Sequence, residues 1–333
     1  MAAMERLTVT ARGIKQSFLV RGPQDGPPVL LVHGNCSSGA FWEPLVRHLP
    51  DSWRIVAPDL RGYGDSETAP VDATRGLADF SDDLIALLDV VLPGARPVVV
   101  GHSMGGGIAT RLLIDAPAVV RALVLESPLS PYGFGIGGAG AVNPDFVAAL
   151  AAGDRSADAP TSPRNVLRAC YVADPASLGE DEEALLTTVL STAVGAGNYP
   201  GDAVPADGWP GVGPGATGVL NAMDPAFHSV ADGLVAVADK PPVLWVRGDA
   251  DVIVSDTSQF DLAYLGKLGV VPGWPGEETC PPQPMVTQTR EVLTRYAAAG
   301  GSFEEVTFAG VGHSPHIERP AEFAAALARV VAG

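Results

Sequence analysis

A chain of 333 residues with 47% hydrophobic and 18% charged side chains can bury a sizeable core and is too apolar to be disordered. Its formal net charge of −17 works against binding to nucleic acid or anionic membranes, both of which reward clustered Lys and Arg. No run of about 18 apolar residues occurs, which excludes an ordinary transmembrane helix.

The opening Met1-Ala2-Ala3-Met4-Glu5-Arg6 lacks the basic-then-apolar order of a secretory signal. Cys36, Cys170 and Cys280 are an odd number of widely spaced cysteines with no metal-ligand pattern. A reduced, cytoplasmic protein is the simplest expectation.

Residues 6–20 alternate apolar and polar side chains (Leu7, Val9, Phe18, Val20), which predicts one or two edge strands around a turn at Arg12-Gly13. Pro27-Pro28 opens Val29-Leu30-Leu31-Val32, a continuous apolar run suited to a strand covered on both faces. It ends in His33-Gly34-Asn35-Cys36-Ser37-Ser38-Gly39, and a helical pattern follows at Trp42, Leu45, Val46 and Leu49. The next strand, Trp53–Ala57, runs into Pro58-Asp59-Leu60-Arg61-Gly62-Tyr63-Gly64-Asp65-Ser66. Leu77, Phe80, Leu84, Leu87, Leu88 and Val91 predict a helix over 76–91.

Pro97-Val98-Val99-Val100-Gly101-His102-Ser103-Met104-Gly105-Gly106-Gly107-Ile108 is the stretch around which the rest is organised. A β-branched run enters a glycine-flanked serine, and Ile108, Leu112, Leu113 and Ala116 leave it at helical spacing. Gly101-x-Ser103-x-Gly105 reads as a nucleophile elbow, a sharp strand-to-helix turn that lifts a serine hydroxyl clear of the sheet. The motif alone is weak in a chain with 39 glycines; the strand before it and the helix after it give it weight.

A further buried strand is predicted over Val119–Leu125, and the alternation of strand and helix then stops at Glu126-Ser127-Pro128. Helical pieces are predicted near 144–153, 163–173 and 180–194. A Gly- and Pro-rich stretch over 195–218 keeps Tyr199 and Trp209, which a linker would not usually do. The alternation resumes with a strand at Pro242–Arg247, a helix near 284–298, a strand at 303–308 and a helix at 320–331. The pattern predicts an α/β fold with a mainly parallel sheet. Residues 1–128 and 237–333 form the two parts of its core, and 129–236 an inserted, mostly helical cap.

With these landmarks placed, the chain resembles the α/β-hydrolase superfamily in its capped, esterase- and lactonase-like serine hydrolase branch. The resemblance rests on five motifs in family order. They are His33-Gly34, Asp59-x-Arg61-Gly62-x-Gly64-x-Ser66, the Gly101–Gly105 elbow, Gly248-Asp249-Ala250-Asp251-Val252-Ile253-Val254, and Gly310-Val311-Gly312-His313-Ser314-Pro315-His316. It implies a twisted, mainly parallel sheet flanked by helices and a nucleophile-acid-histidine order along the chain.

In that reading Ser103 is the nucleophile and His313 the base that takes its proton. Asp251 is the acid that orients the imidazole, because the family motif places the acid at the last Asp of Gly-x-x-Asp; Asp249 and Glu126 are its competitors. The backbone N–H groups of Asn35 and Met104 are the expected oxyanion donors. His33-Gly34-Asn35 is also similar to haloalkane dehalogenases and some acyl-homoserine lactone hydrolases. Ser103 argues against the dehalogenases and epoxide hydrolases of this fold, which use an Asp nucleophile.

Trp42, Tyr132, Phe134, Trp209 and Trp274 are candidates for the substrate pocket, with Tyr171 and Tyr199 considered beside them. Cys36 reads as buried filler; His33, His102 and His316 read as loop support. The 62 residues from Asp251 to His313 exceed one strand-helix-strand step, so an extra loop over about 256–284 is expected near the pocket mouth. The implied activity is cleavage of a small carboxylic ester or lactone with no metal, nucleotide or organic cofactor. Amide or carbon–carbon cleavage by the same triad, or a slow ligand-binding receptor, are the alternatives.

Overall fold

The computed structural model describes residues 3–333. The apolar runs form eight strands: β1 (Glu5–Ala11), β2 (Ile14–Arg21), β3 (Pro28–Val32), β4 (Arg54–Pro58), β5 (Val98–His102), β6 (Ala122–Glu126), β7 (Val243–Gly248) and β8 (Phe303–Phe308). They make one sheet in the order β1-β2-β4-β3-β5-β6-β7-β8. β1 and β2 are an antiparallel hairpin, and β2 also runs antiparallel to β4; every other neighbouring pair is parallel. The hairpin turns at Arg12 and Gly13, with φ of 52° and 78°, the left-handed pair that matches the twist of the flanking strands.

Six longer helices accompany the sheet: α1 (Ala78–Val91), α2 (Met104–Asp115), α3 (Pro144–Ala151), α4 (Glu182–Leu190), α5 (Met285–Ala298) and α6 (Pro320–Ala332). Successive side chains of a strand point to opposite faces, so the continuous apolar runs feed two cores. Leu30, Val32, Val99, Leu123 and Trp245 pack with Phe80 and Leu84 of α1, Leu112 of α2 and Val292 of α5. Val29, Leu31, Val98, Val124 and Val246 pack with Trp42, Leu45 and α6 residues Phe323 and Leu327. A sheet covered on both faces is the reason these strands show no polar alternation.

Residues 127–242 add no strand to this sheet. They carry α3, α4, a turn of π-helix at Leu167–Tyr171 and two small ribbons, Ala203–Pro205 with Val212–Pro214 and Val194–Gly195 with Tyr199–Pro200. The helix predicted over 163–173 is thus split into Pro163–Val166 and the π turn. The Gly/Pro stretch after α4 is pinned by Asp202, whose carboxylate accepts the backbone N–H of Ala216 and Thr217. Leu150, Leu167, Leu186, Val189 and Tyr199 form a third core that reaches Phe41 and Ile317 below. No helix among the described residues is long and apolar enough to cross a membrane.

Two buried imidazoles make the fold acid-sensitive. Burial depresses His228 and His33 from 6.5 to about 4, the latter against opposing pulls from the Gly34 carbonyl and Asp59. The unfolded chain therefore protonates these groups first. Their contribution is complete above pH 6.5 and is lost as the pH falls toward 4, at about 3 kcal/mol per histidine. Urea unfolding should show lower stability at pH 4.5 than at pH 7, and His228→Gln should lose part of that pH dependence.

Candidate active site

Ser103 stands between the last residue of β5 and the first of α2, with φ 55° and ψ −121°. A non-glycine residue in this region is strained by roughly 1–3 kcal/mol, and neighbouring backbone holds it there. Its N–H donates to the Glu126 carbonyl at 2.9 Å, and its own carbonyl accepts the N–H of Leu129 at 2.9 Å. The flanking glycines are required by close approach. A Cβ at Gly101 would run into the Gly105 carbonyl, and one at Gly105 into the Val32 and His33 carbonyls.

His313 follows β8 in a loop that passes the carboxyl end of β7; a Cβ at Gly248 would strike the Val311 carbonyl. Its Nδ1 lies 2.8 Å from Asp251 Oδ2, with both side chains buried. Asp251 Oδ1 accepts the backbone N–H of Ile253 at 2.7 Å and of Val254 at 3.0 Å, which fixes the carboxylate. Nδ1 donating to that carboxylate leaves Nε2 as the ring's acceptor. Asp249 instead accepts the Gly310 N–H on the exterior, and Glu126 pairs with His316. Of the three carboxylates, Asp251 is the one bonded to His313.

Ser103, Met104, His313 and Asn35 share the wall of one cavity of about 410 Å³. No hydrogen bond joins Ser103 to His313 among the described residues; such contacts commonly tighten only when substrate is in place. The backbone N–H groups of Asn35 and Met104 donate to no other group among the described residues, and Met104 opens a helix, where N–H groups lack intrahelical partners. Asn35 is gripped twice: Tyr63 donates its hydroxyl to Asn35 Oδ1 at 2.7 Å, and Tyr171 to the Asn35 carbonyl at 3.0 Å. Cys36 beside it is buried, and burial pushes its thiol up to about 12, so it stays protonated at neutral pH.

Two distant stretches close the cavity. Phe134, Val142, Phe146, Tyr171, Tyr199 and Leu220 come from 127–242, and Ile253, Phe260, Leu262 and Leu265 from the stretch after Asp251. Asn143, Thr161 and Gln259 add polar atoms, and among the described residues no Asp, Glu, Lys or Arg lines the wall.

Of the five aromatic candidates, Phe134 is on that wall. The structure corrects the other four. Trp42 is fully buried in the sheet core, its ring 4.4 Å from that of His316. Tyr132 packs against the α1–α2 side of the core, with its hydroxyl facing Arg295. Trp209 donates its indole N–H to the Pro272 carbonyl, and Trp274 donates to that of Cys280 while packing on Gly266. Both tryptophans thus brace the 256–284 loop, whose short helix Leu262–Lys267 supplies Leu262 and Leu265 to the cavity.

The remaining motif residues hold loops. Asp59 accepts the Gly39 N–H at 2.9 Å and pairs with Arg6; Arg61 forks onto Asp83 at 2.6 and 2.7 Å. His33 accepts the Leu60 N–H at 3.0 Å through Nε2. Tyr63 stands at an unspecified position of the Asp59–Ser66 motif, and the aliphatic wall has no motif at all.

A family model described as alpha/beta hydrolase fold matches residues 27–259. Over 114 residues the chain is 41% identical to a putative carbamate hydrolase RutD of Variovorax paradoxus, covering 34% of this chain and 42% of that protein. Over 144 residues it is 33% identical to the 2-hydroxymuconate semialdehyde hydrolase of Pseudomonas sp., covering 41% and 50%. The chain thus matches half or less of the length of these relatives. A crystal structure of a putative aryl esterase from Burkholderia cenocepacia superposes with a TM-score of 0.64 at 18% identity, over 98% of both chains.

Proposed function

The chain belongs to the α/β-hydrolase family, and on that premise we propose that it is a serine hydrolase that cleaves a small, largely apolar carboxylic ester or lactone. The observation that carries this reading is a strained Ser103 sharing an uncharged cavity with an imidazole already oriented by Asp251.

Ser103 Oγ attacks the substrate carbonyl while His313 Nε2 takes its proton, and Asp251 stabilises the imidazolium. The oxyanion forms against the N–H groups of Asn35 and Met104, donors in place before the charge develops. His313 then protonates the leaving alkoxide, or the ring oxygen of a lactone, and an acyl-enzyme remains. Water, deprotonated by the same Nε2, releases the acid and restores Ser103. No step calls for a metal or an organic cofactor.

Residues 129–236 serve as a cap over this site. Its wall suits an apolar acyl or alcohol group, because a charged group buried there would go unpaired.

The test is turnover of p-nitrophenyl esters of increasing acyl length together with a lactone panel. Short to medium neutral esters should be hydrolysed and long-chain or charged ones poorly. The likeness to the carbamate and semialdehyde hydrolases supports a second reading, amide or carbon–carbon cleavage by the same groups. Turnover of arylamides or vinylogous diketones with none of esters would favour it. Tight saturable binding without any turnover would point to a receptor.

A further inference from the structure

Beneath Ser103 and His313 lies a second carboxylate–imidazole couple, formed by Glu126 and His316. Both side chains are fully buried. Glu126 Oε1 accepts two bonds from His316, from the backbone N–H at 2.7 Å and from Nδ1 at 2.9 Å. His316 Nε2 lies 3.3 Å from the Phe41 carbonyl, and its ring packs on Trp42 and His102.

Burying a carboxylate and an imidazole together is costly, and apolar residues of the same volume commonly serve stability as well or better. The connections of this couple explain its cost. Glu126 ends β6, and its carbonyl receives the Ser103 N–H at 2.9 Å. His316 follows His313 by three residues, and Phe41 lies within the short helical turn Gly39–Trp42 that follows the Asn35 loop. His102 bridges the same groups from the side, its Nε2 donating to the His313 carbonyl at 3.0 Å. One side-chain pair thereby ties together the backbone segments that bear the nucleophile, the base and an oxyanion donor.

We propose that Glu126 and His316 are positioning residues, which set the His313 loop against the Ser103 elbow through the Glu126–His316 Nδ1 bond. The proposal rests on the serine-hydrolase reading above. A misplacement of about 1 Å at a reacting group can cost about 100-fold in rate, so the couple acts on kcat and leaves substrate binding alone.

Two isosteric variants separate this role from a packing role. Asn at 316 keeps an amide donor where Nδ1 stood; Gln keeps one where Nε2 stood. Rates are expressed per site titrated by stoichiometric fluorophosphonate labelling, well below each variant's melting temperature, so that loss of folded protein does not count.

The expected result is a kcat for His316→Asn within about threefold of wild type. For His316→Gln, kcat should fall ten- to thirtyfold with KM unchanged. Glu126→Gln, which retains the Oε1 acceptor, should stay within about threefold, whereas Glu126→Ala, which also loses the bond from the His316 backbone N–H, should fall at least as far as His316→Gln. The double variant Glu126→Ala/His316→Gln should be no worse than Glu126→Ala alone. Equal kcat per titrated site in all variants, with only the melting temperature lowered, would overturn the proposal and leave the triad standing. A wild-type protein that neither labels nor turns over would remove the reading beneath it instead.

Discussion

Ser103→Ala is expected to lower kcat on its best ester by between about 10⁴- and 10⁶-fold, with KM changed by less than about threefold. The alanine has the same backbone demands, and the N–H and carbonyl bonds to Glu126 and Leu129 do not involve the hydroxyl. The elbow should therefore persist, and with it the cavity and the free N–H groups of Asn35 and Met104. Those donors can still polarise a bound carbonyl, which is why residual catalysis over water is expected and not zero. Steady-state kinetics with a melting curve on the same sample checks both halves. An unchanged kcat would mean that another group makes the first bond.

Asp251→Asn is expected to cost about 10⁴-fold in kcat with little loss of stability. The loss follows from which atom of the amide can face His313. Oδ1 of residue 251 accepts the N–H groups of Ile253 and Val254, so the amide oxygen of asparagine is held there. Its NH₂ group then stands where Oδ2 accepted from His313 Nδ1. A donor in that place forces the imidazole to carry its proton on Nε2, the nitrogen that must accept from Ser103. Asp249→Asn should stay within about twofold, because Asp249 holds the Gly310 turn on the exterior. If Asp249→Asn or Glu126→Gln gave the 10⁴-fold loss and Asp251→Asn did not, the acid would be misassigned.

The sheet and the turns that carry Ser103, Asp251 and His313, the proposed reacting groups, were legible in the sequence because local contacts dictate their residue types. Gly101, Gly105 and Gly248 sit where a Cβ would meet a backbone carbonyl, so these positions carry a signature that survives without any tertiary knowledge. The apolar run Val29–Val32 reads as a doubly covered strand because two cores share it. The pocket wall lacks such a signature. Trp42 and Phe134 look alike along the chain, yet one fills the sheet core and the other faces the cavity. Trp209 and Trp274 find carbonyls for their indole N–H groups within loops, which draws them away from the substrate space. Leu220 and Leu265 reach it only because two separate insertions fold toward each other. The Glu126–His316 couple spans 190 residues and repeats no motif, so only the fold could reveal it.

The proposed nucleophile is the Oγ of Ser103. It is tested most directly by treating the protein with a fluorophosphonate and locating the adduct by peptide mass spectrometry. One adduct per chain is expected, on Ser103, absent from Ser103→Ala and slow to form in Asp251→Asn. An adduct on another residue, or none under conditions where the protein turns over esters, would contradict it.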